Sequence, residues 1–280
     1  MRKTLFIALI SLVCLSAAAA RKKPIATVQD VDSLITVRYR SYDTRREALN
    51  KEYQATSDSL EKIKILQDYN KIDQKCVGEV VDIYGKYSSV AGVVERLYAL
   101  RTSVAKDQLS KIMQRIPQRI KESDPYVSSL KRHLDFNQVT VGDTVSEFKA
   151  KTAKGDDFRF GELVAEKDIL LVFGDWNDSS IDTKRLLDLM YRKIDLSKLE
   201  IVNVFSQMSK DDFIATVQKS EIGWLAVCDF RGDHSPLKIA FGVQSTPMCF
   251  YIKKGGEVQA ISIGISGDIL MLVSEQNYGK

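Results

Sequence analysis

Proline is absent from the chain between Pro24 and Pro117, and only three glycines interrupt this stretch. Both residue types destabilise the interior of a helix, so their scarcity favours long helices. Apolar residues also recur at helical spacing, most clearly over residues 80–87. We therefore predict an all-helical region over residues 21–138, with four or five helices between residues 28 and 136.

After Gln138 the apolar residues follow a different pattern. Short runs rich in branched side chains alternate with stretches of helical spacing, which is typical of a sheet covered by helices on both faces. The turn sequence 253–256 predicts a hairpin that joins the last run to residues 258–263. The predicted strands are residues 169–173, 199–205, 224–228 and 249–252, and the predicted helices are near residues 180–194, 210–219, 236–241 and 266–276.

The first twenty residues have the pattern of a secretory signal peptide. Arg2 and Lys3 precede an apolar run over residues 5–15, and an A-x-A sequence ends at Ala20. The run is shorter than the roughly 20 apolar residues that span a bilayer. We therefore expect residues 1–20 to be removed. The mature protein is expected to be periplasmic or otherwise extracytoplasmic, and not membrane-spanning.

Charge and histidine content exclude two classes of function. Residues 21–138 carry 22 basic and 16 acidic side chains, and residues 139–280 carry 17 and 21. Such a small imbalance does not predict a nucleic-acid partner. The only two histidines, His133 and His234, are about a hundred residues apart, with no cysteine at ligand spacing. We expect no metal and no cofactor.

Three segments of the second half occur in the order of a known fold. Val-Gly-Asp stands at 141–143, Gly-Asp-Trp-Asn-Asp-Ser-Ser follows the first predicted strand at 174–180, and Ala-Phe-Gly-Val-Gln-Ser-Thr-Pro stands at 240–247. Together they resemble the TlpA/ResA-like branch of the thioredoxin superfamily over residues 139–277. The resemblance implies an α/β, thioredoxin-like domain over residues 139–280, preceded by the helical region. It also implies a cis bond before Pro247, beside which active relatives bind extended polypeptide.

The chain departs from this family at the redox motif. Active members hold C-x-x-C at the helix N-terminus that follows the first strand, where the thiol pKa is lowered. One alignment places these cysteines at Asn177 and Ser180, and a shift by one places them at Asp178 and Ile181. Neither alignment contains sulfur, so thiol–disulfide exchange is excluded at this loop. Asp178 and Ser180 are instead favoured residues for capping the helix.

We therefore predict a non-catalytic protein that binds an envelope protein or peptide beside the loop. Trp176 is expected to supply exposed aromatic surface, which is common at recognition sites. We call the predicted surface the loop groove, and it comprises Trp176, Asn177, Asp178, Ser180, Thr246 and Pro247.

Two alternatives are kept. The first is a thiol-disulfide oxidoreductase that uses Cys228 or Cys249, which would approach disulfide range if their strands were neighbours. The second makes the helical region the interaction module and the thioredoxin-like domain a scaffold. A calcium loop over Asp175, Asn177 and Ser179 is a sharper alternative for the loop, but it fails the EF-hand pattern, because Ser180 and Leu186 stand where Gly and Glu are required.

Overall fold

A computed structural model describes residue 25, residues 27–177 and residues 180–278. The predicted signal peptide, Asp178 and Ser179 lie outside the described residues. Among the helices that are described, none is both long and apolar enough to cross a bilayer.

The helical region begins with two antiparallel helices of 28 residues, each about 42 Å long. The first starts at a capping box, in which the side chains of Thr27 and Asp30 accept each other's backbone N–H. The second starts at Asp58, whose carboxylate accepts the N–H groups of Leu60 and Glu61. The helices are α1 (Val28–Ala55), α2 (Ser59–Lys86), α3 (Val93–Ala99), α4 (Lys106–Arg115), α5 (Gln118–Ser123) and α6 (Pro125–Asp135).

The all-helical prediction is confirmed, but the predicted number of helices is too low. The structure has six α-helices in this region and a 3₁₀ turn at Arg101–Ser103. Pro117 and Pro125 account for the two late interruptions, because each stands at the start of a new helix and offers no N–H to continue the previous one. The shared core of α1–α6 includes Val31, Ile35, Cys76, Val80, Val94, Leu97, Leu109 and Leu130.

The second region is a seven-stranded mixed sheet in the order β2-β1-β5-β4-β3-β6-β7. The strands are β1 (Lys149–Thr152), β2 (Asp157–Arg159), β3 (Asp168–Phe173), β4 (Leu199–Phe205), β5 (Leu225–Cys228), β6 (Met248–Ile252) and β7 (Val258–Ile263). The helices are α7 (Phe160–Glu166), α8 (Ile181–Tyr191), α9 (Lys210–Ser220), α10 (Pro236–Ala240) and α11 (Gly267–Tyr278).

Strand β3 lies in the interior of this sheet, next to the middle strand β4, and is buried along its whole length. It pairs in parallel with β4 and antiparallel with β6, and β6 continues into β7 by the predicted hairpin. Helices α8 and α11 pack on one face of the sheet, whereas α7 and α10 pack on the other. The prediction of an α/β sheet with helices on both faces is confirmed.

The two regions dock through hydrogen bonds to backbone carbonyls. The Tyr98 hydroxyl donates to the Asp233 carbonyl at 2.5 Å, and the buried Arg101 guanidinium donates to the Val243 carbonyl. The Ser129 hydroxyl lies 3.0 Å from Nδ1 of His234. Within the described residues no ion pair joins the regions. The two regions have net charges of opposite sign, but their described side chains form no ion pairs with each other across this interface.

Candidate functional site

The loop that follows β3 is anchored to the neighbouring strand β4. The Asp175 carboxylate accepts the Ser206 N–H at 3.0 Å and the Gln207 side-chain amide at 3.1 Å. The buried Asn203 amide donates to the Gly174 carbonyl at 2.9 Å. Asp175 is thus committed to the end of β4, which disfavours the calcium-loop alternative.

The next part of the loop closes on itself. The Asn177 N–H donates to the Ser180 hydroxyl at 2.9 Å, and the Ser180 N–H donates to the Asn177 carbonyl at 3.0 Å. Asn177 is exposed, whereas Ser180 is buried. Ser180 occupies the N-cap position of α8, but its side chain makes no cap hydrogen bond and instead contacts Asn177. The predicted capping role of Ser180 is therefore wrong, and that of Asp178 falls outside the described residues.

Trp176 folds inward. Its indole makes an edge contact with Trp224, with ring centroids 6.2 Å apart and an interplanar angle of 87°. The indole nitrogens of both tryptophans are buried without a hydrogen-bond partner in the described part of the chain. The expectation of a well-exposed aromatic is wrong, because the ring packs into the core beneath α8 and only part of it reaches solvent.

The loop faces the segment that enters β6. The Thr246–Pro247 bond is cis, as the family resemblance implies. A Cβ built on Gly174 would lie 3.5 Å from the Trp176 ring and 3.6 Å from Pro247 Cβ. Trp176 and Pro247 therefore both lie close to Gly174, so the structure brings these two members of the predicted loop groove together. Pro247 is itself buried, so Thr246 and Asn177 are the more accessible described members of the loop groove.

All three cysteines of the described residues are free and buried. Strands β4 and β3 lie between β5, which carries Cys228, and β6, which carries Cys249. Three strand spacings separate the two cysteines' strands by roughly 14 Å, well beyond disulfide reach. The idea that these strands are neighbours is wrong, since their order in the sheet cannot be read from their order in the chain.

Burial also makes these thiols poor nucleophiles. Desolvation raises the pKa of Cys228 to about 11 and that of Cys249 to about 12. Desolvation likewise raises the pKa of Cys76, which lies in the core of the helical region. At neutral pH all three remain in the thiol form, which does not attack disulfides.

The helical region reaches the edge of the loop groove, which the sequence did not predict. The Gln244 side chain, two residues before Thr246, is hydrogen-bonded by the Thr102 hydroxyl and itself donates to the Ala99 carbonyl. The segment that leads to the cis-proline is therefore held by the 3₁₀ turn and the end of α3. No local pattern at Gln244 indicates this contact, because its partners lie about 140 residues earlier.

Strand order, loop and cis-proline together define the class of this protein. A central strand β3 is followed by a loop and helix, then by a parallel strand, and the β6–β7 hairpin and α11 complete the unit. The loop at the end of β3 faces a cis-proline at the start of β6. The second region thus has a thioredoxin-like fold, and the sequence of its loop contains no cysteine.

Among comparisons with known proteins, only the comparison with solved structures finds matches. No family model matches the chain, and no curated protein matches it. A thiol-disulfide oxidoreductase from Bacteroides fragilis is 17% identical, with a TM-score of 0.42, over 48% of this chain and 98% of that one.

Two further solved structures also cover about half of this chain. The thioredoxin domain of a thiol-disulfide oxidoreductase from Bacteroides vulgatus is 14% identical, with a TM-score of 0.44, over 50% of this chain and 99% of that one. A thiol-disulfide isomerase from Corynebacterium glutamicum is 10% identical, with a TM-score of 0.42, over 49% and 97%. The assignment of the fold rests on the strand order and the cis-proline described above.

Proposed function

We propose that this protein is an exported thioredoxin-fold protein that binds a protein or peptide partner through the loop groove and exchanges no thiols. The observation that carries the proposal is the absence of sulfur from residues 174–181 in a loop that still faces the cis-proline. The described surface that would meet a partner is the accessible part of Asn177 and Thr246, together with the partly exposed Trp176.

Two features of the loop support a role in binding. Asp175 and the Asn177–Ser180 pair hold the described ends of the loop in place, so these residues lose little conformational entropy when a partner docks. Thr246 lies two residues after Gln244, whose side chain is hydrogen-bonded to the helical region. A groove fixed from both sides is preorganised for recognition.

The tryptophans offer a direct test of the loop groove. The chain has two tryptophans, and both lie at the loop. We expect a tryptophan-free unfolded polypeptide, with its cysteines carboxymethylated, to change the intrinsic fluorescence in a saturable way. Asn177→Arg should weaken this binding, whereas the matched change Asn70→Arg, at an exposed position on α2, should not. No saturable change, or equal effects of the two variants, would contradict the proposal.

The names of the solved relatives suggest an oxidoreductase as the competing function. Such an enzyme would need one of the buried cysteines, and their raised pKa values oppose it. We expect the protein not to accelerate the reduction of insulin by dithiothreitol. Acceleration that disappears in the Cys228→Ser/Cys249→Ser double variant would establish the oxidoreductase and overturn our proposal.

The helical region remains a second candidate for the interaction module. In the half of the α1–α2 hairpin away from the sheet, Leu60, Ile63 and Leu66 are 72%, 51% and 47% exposed. Only Leu49 and Ile65 are buried there. A Leu60→Gln/Ile63→Gln variant should keep peptide binding at the loop groove. Loss of partner binding in this variant alone would assign the function to the hairpin.

A further inference from the structure

A cavity of about 830 Å³ opens between the start of β1 and the chain that follows β5. Its size lies within the usual range of ligand sites. It exists because β5 pairs with β1 only at Lys151 and Thr152 and then leaves the sheet at Phe230, which has a φ of 56°. We call it the β1 cleft, defined by residues 144–151 and 228–231.

One wall of the β1 cleft is an open strand edge. The Thr152 N–H donates to the Asp156 carbonyl, towards β2, so alternation turns the backbone N–H and C=O of Lys149 the other way. To pair with Lys149 on that side, β5 would have to continue past Cys228, but the strand ends at Cys228. Within the described residues no strand pairs with Lys149 on this side. Its backbone groups therefore face the cleft, where an added strand would meet them.

The floor of the β1 cleft is apolar and well supported. Phe148 is partly exposed in the cleft and stacks on the buried Phe160, with centroids 4.5 Å apart. Phe230 is also partly exposed and is held by an edge contact with Phe213 at 5.9 Å. Buried Leu237 lines the same cavity. The floor offers a fixed apolar pocket for one large side chain.

The acidic groups at the rim are already engaged. Lys151 pairs with Asp157 at 2.7 Å. The Asp229 carboxylate accepts the Ser235 hydroxyl at 2.6 Å, and the Glu147 carboxylate accepts the Phe148 N–H at 2.8 Å.

The remaining cations at the rim are Lys149 and Arg231. Both are exposed, and within the described residues neither forms an ion pair. The rim carries three acidic and three basic side chains, but the oxygens of Glu147 and Asp229 already accept protein N–H and O–H groups, whereas Lys149 and Arg231 have no ion-pair partner among the described residues. It fits a ligand that brings its own carboxylate.

We propose that the β1 cleft binds an extended, acidic polypeptide segment as an added strand. The backbone of the segment would pair with Lys149, an apolar side chain would enter the pocket of Phe148 and Phe230, and a carboxylate would meet Lys149 or Arg231. The site is distinct from the loop groove, because none of the described loop-groove residues lines this cavity, although Phe230 and Trp176 pack against the same core cluster. It requires no property of the loop groove.

The test uses the fluorescein-labelled peptide acetyl-Glu-Val-Phe-Val-Glu-amide and its backbone N-methylated form. We expect the first peptide to bind in fluorescence anisotropy and to slow hydrogen exchange at the Lys149 amide. The N-methylated peptide should not bind, because it lacks the N–H groups that form a strand. Slowed exchange at Lys149, rather than tryptophan fluorescence, identifies this site, because Trp176 and Phe230 pack against the same core cluster.

Charge variants complete the test. Lys149→Glu and Arg231→Glu should each weaken binding by about threefold to tenfold at low salt, because each replaces a screened attraction by a repulsion. The matched control Lys253→Glu, in the exposed β6–β7 hairpin, should leave binding unchanged. Unchanged exchange at Lys149, equal binding of the N-methylated peptide, or an equal loss in the control would overturn the proposal. So would the absence of binding at millimolar peptide.

Discussion

Arg101 is expected to be the main polar connection between the helical region and the sheet. The side chain is 2% exposed, its guanidinium donates to the carbonyls of Tyr98 and Val243, and it lies 4.1 Å from the centroid of the Tyr98 ring. Burial lowers the pKa of Arg101, which marks the cost of desolvating this charge. The change Arg101→Met keeps most of the aliphatic stem and removes the two hydrogen bonds.

The magnitude follows from these contacts. Hydrogen bonds from a charged donor contribute about 1.5–3 kcal/mol each, and the cation–π contact adds about 1 kcal/mol. The substitution also removes the cost of desolvating the buried charge, which offsets part of this loss in stability. We expect a net loss of about 3 kcal/mol, which lowers the melting temperature by roughly 6–12 °C for a chain of this size.

Thermal unfolding followed by circular dichroism measures this loss. The control is Arg115→Met, at an exposed position near the end of α4, which should change the melting temperature by less than about 2 °C. Hydrogen exchange at the Val243 amide, which donates to the Lys238 carbonyl, should also become faster in Arg101→Met, since the Val243 carbonyl loses its contact with the guanidinium. Equal melting temperatures for the two variants would refute the role assigned to Arg101.

Two further predictions concern single buried positions. Burial lowers the pKa of His133 from its ordinary value of 6.5. As the pH drops below 6.5, the unfolded state therefore binds a proton before the folded state does. Stability falls until the pH reaches the pKa of the folded state. His133→Leu should therefore reduce the difference between melting temperatures at about pH 7 and about pH 5, and an unchanged difference would contradict this. Gly256 has a φ of 98°, and a Cβ there would lie 2.3 Å from the Val145 carbonyl oxygen. Gly256→Ala should cost about 2–3 kcal/mol in urea unfolding, whereas Gly255→Ala, with a similar φ but open space, should cost less.

The strands of the second region could be predicted from the sequence because burial leaves a strong local signal. Residues 168–173 are covered on both faces, so no polar side chain was needed between Ile169 and Phe173. The turn at 253–256 was equally local, with Gly255 and Gly256 both at positive φ. The start of α6 also carries a local signal, since the Asp124 carboxylate accepts the Tyr126 N–H and Pro125 stands in the first turn.

The arrangement of these elements could not be predicted in the same way. The distance between Cys228 and Cys249 depends on which strands lie between them, and the sequence carries no local mark of that order. The inward turn of Trp176 depends on Trp224, which is 48 residues away in the chain. The β1 cleft likewise depends on where two strands stop pairing. Each of these features comes from contacts between distant segments.

Thiol titration of a chain comprising residues 21–280 tests the central claim most directly. The claim is that this thioredoxin-like fold keeps the loop and cis-proline but has no thiol available for exchange. At about pH 8 the native protein should not react with Ellman's reagent over the time in which free cysteine reacts completely. After denaturation all three thiols should react, since Cys76, Cys228 and Cys249 are free and buried. One thiol that reacts rapidly in the native protein, or fewer than three after denaturation without reductant, would contradict the account.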